Sequence, residues 1–238
     1  MKKRIISLAL AVIMLTATLC LVSCSKKDND KKNDKYLLLV NKQNTIGEDS
    51  VPENLVDVNN AYTTGGKAIK LEKTTAEAVL KMIDAMKKDG IGNVSITSGY
   101  RAYSYQKTLF DRYIANEKAA HPDWSDDEVR KKVLTYSAAP GTSEHQTGLC
   151  VDLWTSDMLE LENYGHEGSY DDKGFAETAA FEWLQENAHK YGFILRFPEN
   201  KTGVTGYSYE SWHYRYVGVD HAKEIHKKGI TLEEYLAD

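Results

Sequence analysis

Asn93-Val-Ser-Ile-Thr-Ser98 alternates polar and apolar side chains with a period of two, as a strand with one buried face does, and Gly99 breaks it at once. Other short, largely apolar runs recur along the chain. Tyr36-Leu-Leu-Leu-Val40, residues 149–154, Phe193-Ile-Leu-Arg-Phe197 (stopped by Pro198) and residues 212–217 each predict a strand. Helix signals lie between them. Thr74-x-x-Glu77 reads as a capping box that opens a helix with Val79, Met82, Ile83 and Met86 on one face, closed by Gly90. Residues 103–118 predict a second helix, and Ser125-x-x-Glu128 caps a third. Phe181, Leu184, Ala188 and Tyr191 share one helical face that Gly192 ends, and Thr231-x-x-Glu234 caps a short last helix. Strands and helices mix without a regular βαβ alternation. The expected fold class is therefore α+β, a single domain with a mainly antiparallel central sheet flanked by helices.

The N-terminal residues stand apart from this pattern. Lys2, Lys3 and Arg4 precede an apolar run over residues 5–22, closed by Ser23-Cys24. That is the layout of a signal peptide over residues 1–23. A run of this length also suits a transmembrane helix, but its end, Leu21-Val22-Ser23-Cys24, resembles a bacterial lipobox, in which cleavage leaves a lipidated Cys24. Residues 25–35 are charged or polar throughout and cannot bury enough surface to offset their ordering, so residues 24–35 read as a flexible charged tether. The expectation is an extracytoplasmic domain over residues 36–238, lipid-anchored to the bacterial cell membrane through Cys24. Residues 36–238 suffice for a full hydrophobic core.

Loss of Lys2, Lys3 and Arg4 with the signal peptide takes the formal charge from −5 to −8. An acidic surface excludes nucleic acid as a partner, because phosphate binding needs a basic one. Of the cysteines, Cys20 leaves with the signal peptide and Cys24 carries the lipid, so Cys150 has no intramolecular partner. Lying in Leu149-Cys150-Val151, it reads as a buried, inert thiol with no signal of thiolate activation around it.

Three patches carry chemistry: Ser98-Gly-Tyr-Arg101, Ser143-Glu-His145-Gln-Thr-Gly148-Leu-Cys-Val-Asp152, and Tyr209-Glu210-Ser-Trp212-His213-Tyr-Arg215. Gly148 would let the chain turn closely between His145 and Asp152. Two histidines and an aspartate suit Zn²⁺ with a fourth position open, the arrangement of a catalytic rather than a structural zinc. Glu210 could then take a proton from water and return it to a leaving amine. Taken singly, each residue has a plainer reading, such as a hydrogen-bonded histidine or an aspartate at a strand end. His121, His166, His189, His221 and His226 have no motif around them and read as surface residues. Residues 164–174, rich in Gly, Asp and Tyr, read as a solvated loop.

Together, Ser98-Gly-Tyr-Arg101, Ser143-x-His145-x-x-Gly148-x-x-x-Asp152 and Glu210-x-Trp212-His213 resemble the three motifs of the VanY-like D-alanyl-D-alanine carboxypeptidases, zinc peptidases that include D,D-dipeptidases and L,D-carboxypeptidases. The likeness spans nearly the whole of residues 36–238, with Phe193-Ile-Leu-Arg-Phe-Pro198 and Trp212-His-Tyr-Arg-Tyr-Val-Gly218 extending it. It implies a zinc D,D-peptidase (hedgehog-like) fold and one Zn²⁺ per chain on His145, Asp152 and His213. It also implies Glu210 as general base and acid, and Arg101 aimed at the scissile carbonyl. Ser143 and Gln106 would hold the substrate backbone or its terminal carboxylate, and Trp212 would wall the site or serve as a core aromatic. Cys150 departs from the family, which often has a small residue such as alanine there. Its similar size implies little effect on zinc, although its oxidation could matter.

The implied activity is removal of the C-terminal D-alanine from D-Ala-D-Ala stems of peptidoglycan. Two alternatives stand beside it: an L,D-carboxypeptidase acting on the tetrapeptide stem, and a wall-binding lipoprotein without turnover. Glu210 argues against the last, since a pure binder needs no base. The implied partners are peptidoglycan stem peptides and, through the lipid, the membrane. Oligomeric state is left open, with a monomer the simplest expectation.

Overall fold

The structure is a computed structural model and describes residues 34–160 and 173–237. The predicted signal peptide, Cys24, most of the tether, His166 and most of the 164–174 loop lie outside the described residues. Among the described residues no helix is long and apolar enough to cross a membrane.

Residues 34–38 belong to a separate compact unit from Leu39–Asp238. Here the expected strand over Tyr36–Val40 is absent. Lys35–Leu37 is instead one 3₁₀ turn, because the Asp34 side chain accepts the Tyr36 N–H and the Asp34 carbonyl accepts that of Leu37. A polar residue placed to cap the turn outweighs the apolar run that follows it.

In the larger unit, β1 (Leu55–Asp57) and β2 (Lys70–Glu72) form an antiparallel pair. A four-stranded sheet follows, made of β3 (Val94–Ser98), β4 (Cys150–Thr155), β5 (Phe193–Leu195) and β6 (His213–Tyr216). Its order is β3-β4-β6-β5 and every pairing is antiparallel. The α+β expectation therefore holds. The α-helices longer than one turn are α1 (Lys73–Lys88), α2 (Tyr103–Ala120), α3 (Asp126–Tyr136), α4 (Ala179–Asn187), α5 (Val219–Lys228) and α6 (Leu232–Ala237).

Helix α1 buries Val79, Met82, Ile83 and Met86 completely, as their spacing predicts, and packs on β2 and β3. Its cap differs from the expected Thr74 box. The helix starts two residues earlier, and the Glu72 carboxylate accepts the Thr75 N–H. Glu72 ends β2, so the strand sets where the helix begins. The Ser125 and Thr231 boxes form as read, each with both reciprocal hydrogen bonds. Helix α4 ends at Asn187 and tightens into a 3₁₀ turn over Ala188–Tyr191, which Gly192 closes in the left-handed conformation.

Two glycines let the β1–β2 ribbon reach the central sheet. A Cβ on Gly99 would stand 2.7 Å from the Lys70 carbonyl oxygen, and one on Gly148 would stand 2.9 Å from the Glu72 nitrogen. Gly148 also has a φ of 67°. The Glu72 N–H donates to the Gly148 carbonyl at 3.0 Å, and the Tyr100 N–H to the Lys70 carbonyl at 2.8 Å. Gly148→Ala should therefore cost about 1–3 kcal/mol from the left-handed strain alone, with the contact to Glu72 adding to it. A lowered denaturant midpoint at unchanged slope is the expected result.

Candidate active site

Strand register builds the floor of the site. Ser98 on β3 pairs with Asp152 on β4, and Asp152 pairs with His213 on β6. A register shift between Ile96 and Ser98 brings Ser98 into this row. The row places the second motif beside the third without any help from loops. His145 arrives separately, on a 3₁₀ turn over Glu144–Thr147 that Gly148 terminates. Its Nδ1 lies 2.7 Å from the Gly99 carbonyl oxygen and donates to it. That bond fixes the tautomer and leaves Nε2 facing Asp152 Oδ2 at 3.3 Å.

His213 has the reverse arrangement. Its Nε2 lies 2.9 Å from Glu144 Oε1, and its Nδ1 lies 2.8 Å from Asp152 Oδ1. The Phe197 ring stacks on it at 5.0 Å between centroids. Both imidazoles thus give one nitrogen to an anchoring acceptor and point the other at the Asp152 carboxylate. This pattern of an outer acceptor behind each inward-facing nitrogen is how metal-binding histidines are held. His145, Asp152 and His213 are all buried.

The anchor behind His213 is itself a buried charge network that the motifs alone do not reveal. Glu144 Oε2 accepts from Arg196 Nε at 2.9 Å and from Arg215 Nη1 at 3.0 Å. Arg196 then forks onto Glu233 with bonds of 2.9 and 2.7 Å. Arg196 and Arg215 are fully buried. Burial would push the Glu144 carboxyl up, but the two guanidinia and His213 outweigh it and hold it far below the usual carboxylate range. The signal that could have exposed the network lies in Phe193-Ile-Leu-Arg-Phe197 and Trp212-His-Tyr-Arg-Tyr216. A charge inside an apolar strand pattern demands a buried counter-charge.

Arg101 lines the cleft, but its guanidinium is turned toward Asp152. Nη2 donates to Asp152 Oδ2 at 2.7 Å and Nε to Ser98 Oγ at 3.0 Å. Burial would raise the Asp152 carboxyl; His145, His213 and Arg101 overcome that and hold it well below its ordinary value. At His145, burial and Arg101 lower the pKa, while Asp152 and Cys150 raise it further, to about 9. A cation bound at this imidazole would therefore displace a proton.

Glu210 stands outside the ring of ligand candidates. Its Oε2 is 3.7 Å from His213 Nδ1, farther than either oxygen of Asp152 from its imidazole. Burial is the main force on it and pushes its carboxyl up to about 7, with Asp152 adding to the shift and His213, His145 and Arg101 opposing it. Ser143, Gln106 and Trp212 line the same cleft, a cavity of about 670 Å³. Trp212 is half-buried, a wall of the cleft rather than a core aromatic. Gln106 donates its amide N–H to the Ala138 carbonyl at 2.7 Å, so the atom left without a partner is the acceptor Oε1, which suits a substrate N–H.

One reading from sequence needs correcting. Cys150 is buried, as expected, but its surroundings are not inert. Its sulfur lies with ring nitrogens of His145 and His213 in a group whose donor atoms are all within 4.8 Å of one another. Burial raises the thiol pKa, and the two imidazoles reverse the shift and lower it. The strand alternation explains the placement: Cys150 and Asp152 sit two apart on β4 and share a face. His121, His189, His221 and His226 do not line the cleft. His189 stacks on His226 at 3.9 Å, His121 stacks on Trp124, and His221 bonds the Tyr235 hydroxyl.

Two imidazoles and a carboxylate on the floor of a cleft, with a second, higher-pKa carboxylate beside them, define the site of a mononuclear metallohydrolase. The donor set fits zinc. The sequence profile of the VanY family, described as D-alanyl-D-alanine carboxypeptidase, matches residues 68–219. The Bacillus subtilis protein YodJ is 38% identical over 205 residues, covering 85% of this chain and 67% of its own length. A D-alanyl-D-alanine carboxypeptidase of Enterococcus faecalis is 33% identical over 210 residues, covering 88% of this chain and 69% of its own length. Among solved structures, a variant of the vancomycin-resistance D,D-pentapeptidase VanY in complex with Zn(II) superposes with a TM-score of 0.67 at 33% identity, covering 85% of this chain and 99% of that one. The L,D-carboxypeptidase LdcB superposes with a TM-score of 0.66 at 38% identity, covering 86% and 87%. The chain belongs to the VanY family of D-alanyl-D-alanine carboxypeptidases, which are zinc metallopeptidases.

Substitution of Glu144 tests this anchoring. Glu144→Gln keeps the shape but removes the charge that steadies His213. Loss of such an outer partner costs about 10–100-fold in metal affinity. Zinc competition against a chromophoric chelator should read a weakening in that range, with His145 left in place.

Proposed function

We propose that the chain removes the C-terminal D-alanine from D-Ala-D-Ala-ending peptidoglycan stem peptides. The observation that carries this reading is the pairing, in one cleft, of the His145–Asp152–His213 set with Glu210 held apart from it. His145 through Nε2, His213 through Nδ1 and Asp152 through its carboxylate would hold one Zn²⁺. Bound there, the ion supplies a Lewis acid and makes water a usable nucleophile near neutral pH.

The protein's own groups do the rest. Glu210 takes the proton from the attacking water and passes it to the departing D-alanine amine. A carboxyl lifted toward neutrality suits both tasks, being basic enough to accept a proton and acidic enough to return it. Arg101 keeps Asp152 ionised, and its remaining N–H groups face charge developing on the scissile carbonyl oxygen. Gln106 Oε1 accepts a peptide N–H of the stem, and Ser143 and Trp212 bound the cleft around it. Cys24 carries a lipid, residues 25–35 form the tether, and the enzyme works outside the membrane on the cell wall.

Removal of D-alanine from a tetrapeptide stem is the second reading, favoured by the 38% identity to LdcB, an L,D-carboxypeptidase. Incubating the protein with pentapeptide and tetrapeptide stems and measuring released D-alanine decides between them. Faster release from the pentapeptide is expected; release from the tetrapeptide alone would give the L,D reading. Chelation should abolish either activity. A separate measurement concerns the anchor: mass spectrometry should find the lipid on Cys24, and Cys24→Ala should move the protein out of the membrane fraction.

The base has its own signature. Activity requires ionised Glu210, so kcat/KM should rise with pH through the pKa of that group. Burial sets it near 7 and a bound cation lowers it, so the ascending limb is expected at or below about pH 7. Glu210→Gln should keep its zinc and lose turnover by about two to four orders of magnitude. Lost zinc in that variant would make Glu210 a ligand instead.

A further inference from the structure

We propose that Cys150 is a fourth protein donor to the metal ion of this site, a soft ligand beside His145, His213 and Asp152. The inference rests on the zinc site and not on which peptide bond is cut.

Three observations carry it. First, the sulfur and the ring nitrogens of His145 and His213 lie within 4.8 Å of one another, a spacing that one ion can bridge. Second, both histidines have an outer anchor, Gly99 O for one and Glu144 for the other, so their orientation toward the middle of the group is fixed by bonds that do not involve the sulfur. Third, Cys150 is fully buried and free, on the same face of β4 as Asp152 and directly paired across the sheet with Arg215. A thiol kept only for packing would face hydrocarbon. This one faces two imidazoles on a floor otherwise made of polar groups.

The chemical consequence follows from ligand type. Two imidazoles and a carboxylate make a borderline-to-hard set with an open position. A thiolate adds a soft donor, which favours zinc and still more favours thiophilic ions such as Cd²⁺. Cys150 thereby tunes which ion the cleft retains and how firmly.

Metal substitution in the full-length protein tests this without relying on turnover. Co²⁺-loaded wild type should show a thiolate-to-cobalt charge-transfer band in the near ultraviolet, together with visible ligand-field bands. Cys150→Ala and the closer-sized Cys150→Ser should lose the charge-transfer band and keep the ligand-field bands. Loss of an outer partner alone costs about 10–100-fold in metal affinity, so loss of a direct donor should weaken Cd²⁺ binding at least that much, and Zn²⁺ binding less. Superimposable cobalt spectra for wild type and variants would overturn the proposal. Should neither variant fold, cadmium NMR of the wild type decides alone: a resonance shifted into the thiolate range supports it, and one typical of nitrogen and oxygen ligands overturns it. D-alanine release measured on the same zinc-loaded preparation reports on the peptidase reading separately. Ligand-field bands without a charge-transfer band would remove Cys150 and leave that reading standing.

Discussion

The Glu144 carboxylate is the interaction on which the site depends. One oxygen receives His213 and the other receives both buried arginines, so a single anion serves the histidine and the charge balance of the core together. Removing one member of such a buried pair costs about 3–5 kcal/mol, because the partner is left charged and unsolvated. Glu144, Glu233, Arg196 and Arg215 cancel as a set of two anions and two cations. Their sequence positions explain what they hold together. Glu144 starts the turn that carries His145, Arg196 follows β5, Arg215 lies on β6 and Glu233 lies on α6. The network therefore ties the His145 turn, the far edge of the sheet and the C-terminal helix to one point behind His213. A buried ion pair is weak evidence for stability as such. Its value here is geometric, since it fixes which nitrogen of His213 faces Asp152.

The sheet supplies the rest of that geometry. Because Ser98, Asp152 and His213 are paired in adjacent strands, a slip of one residue would turn each side chain to the opposite face and dismantle the site. Burial of Val94, Ile96, Val151 and Leu153 holds the β3–β4 pair in register, so core packing and site assembly are the same event for these two strands. His145 is the one ligand candidate not placed by a strand, and it is tied down by backbone instead. Gly99 O receives its ring, and the Arg101 N–H donates to its carbonyl at 3.1 Å. Both anchors come from the first motif, which explains why that motif sits where β3 ends.

Much of this was legible in the sequence, because the legible parts are local. Alternation marked β3 and short, largely apolar runs marked β4, β5 and β6 to within a residue or two, the helical face of α1 was readable from its spacing, and two capping boxes were visible as written. The parts that were hidden depend on partners far along the chain. Glu72 caps α1 because β2 ends there, and no local pattern names β2. Arg196 finds Glu144 across 52 residues and Glu233 across 37. Cys150 looked inert because its sequence neighbours, Leu149 and Val151, are apolar; on a strand, however, those neighbours point to the other face. The residues that matter to it are two away on its own strand, or on other elements altogether.

The separation of Asp152 from Glu210 shows how one cleft assigns two carboxylates different tasks. Both are largely withdrawn from water, and burial alone would raise both. Asp152 touches two imidazoles and a guanidinium at 2.7 to 3.3 Å, and those contacts keep it ionised, as a ligand must be. Glu210 makes no such close contact: His213 is 3.7 Å away, on a turn where the Glu210 carbonyl accepts the His213 backbone N–H, and Asp152 works against ionisation. Distance therefore decides the outcome: Coulombic relief overcomes burial at Asp152 and does not at Glu210, whose carboxyl stays near 7. A group that is permanently charged cannot shuttle a proton, and a group that titrates near neutrality is a poor permanent ligand. The spacing between Glu210 and His213, three residues across one turn, keeps the base close enough to reach water at the site and too far from the cationic side chains to be locked by them.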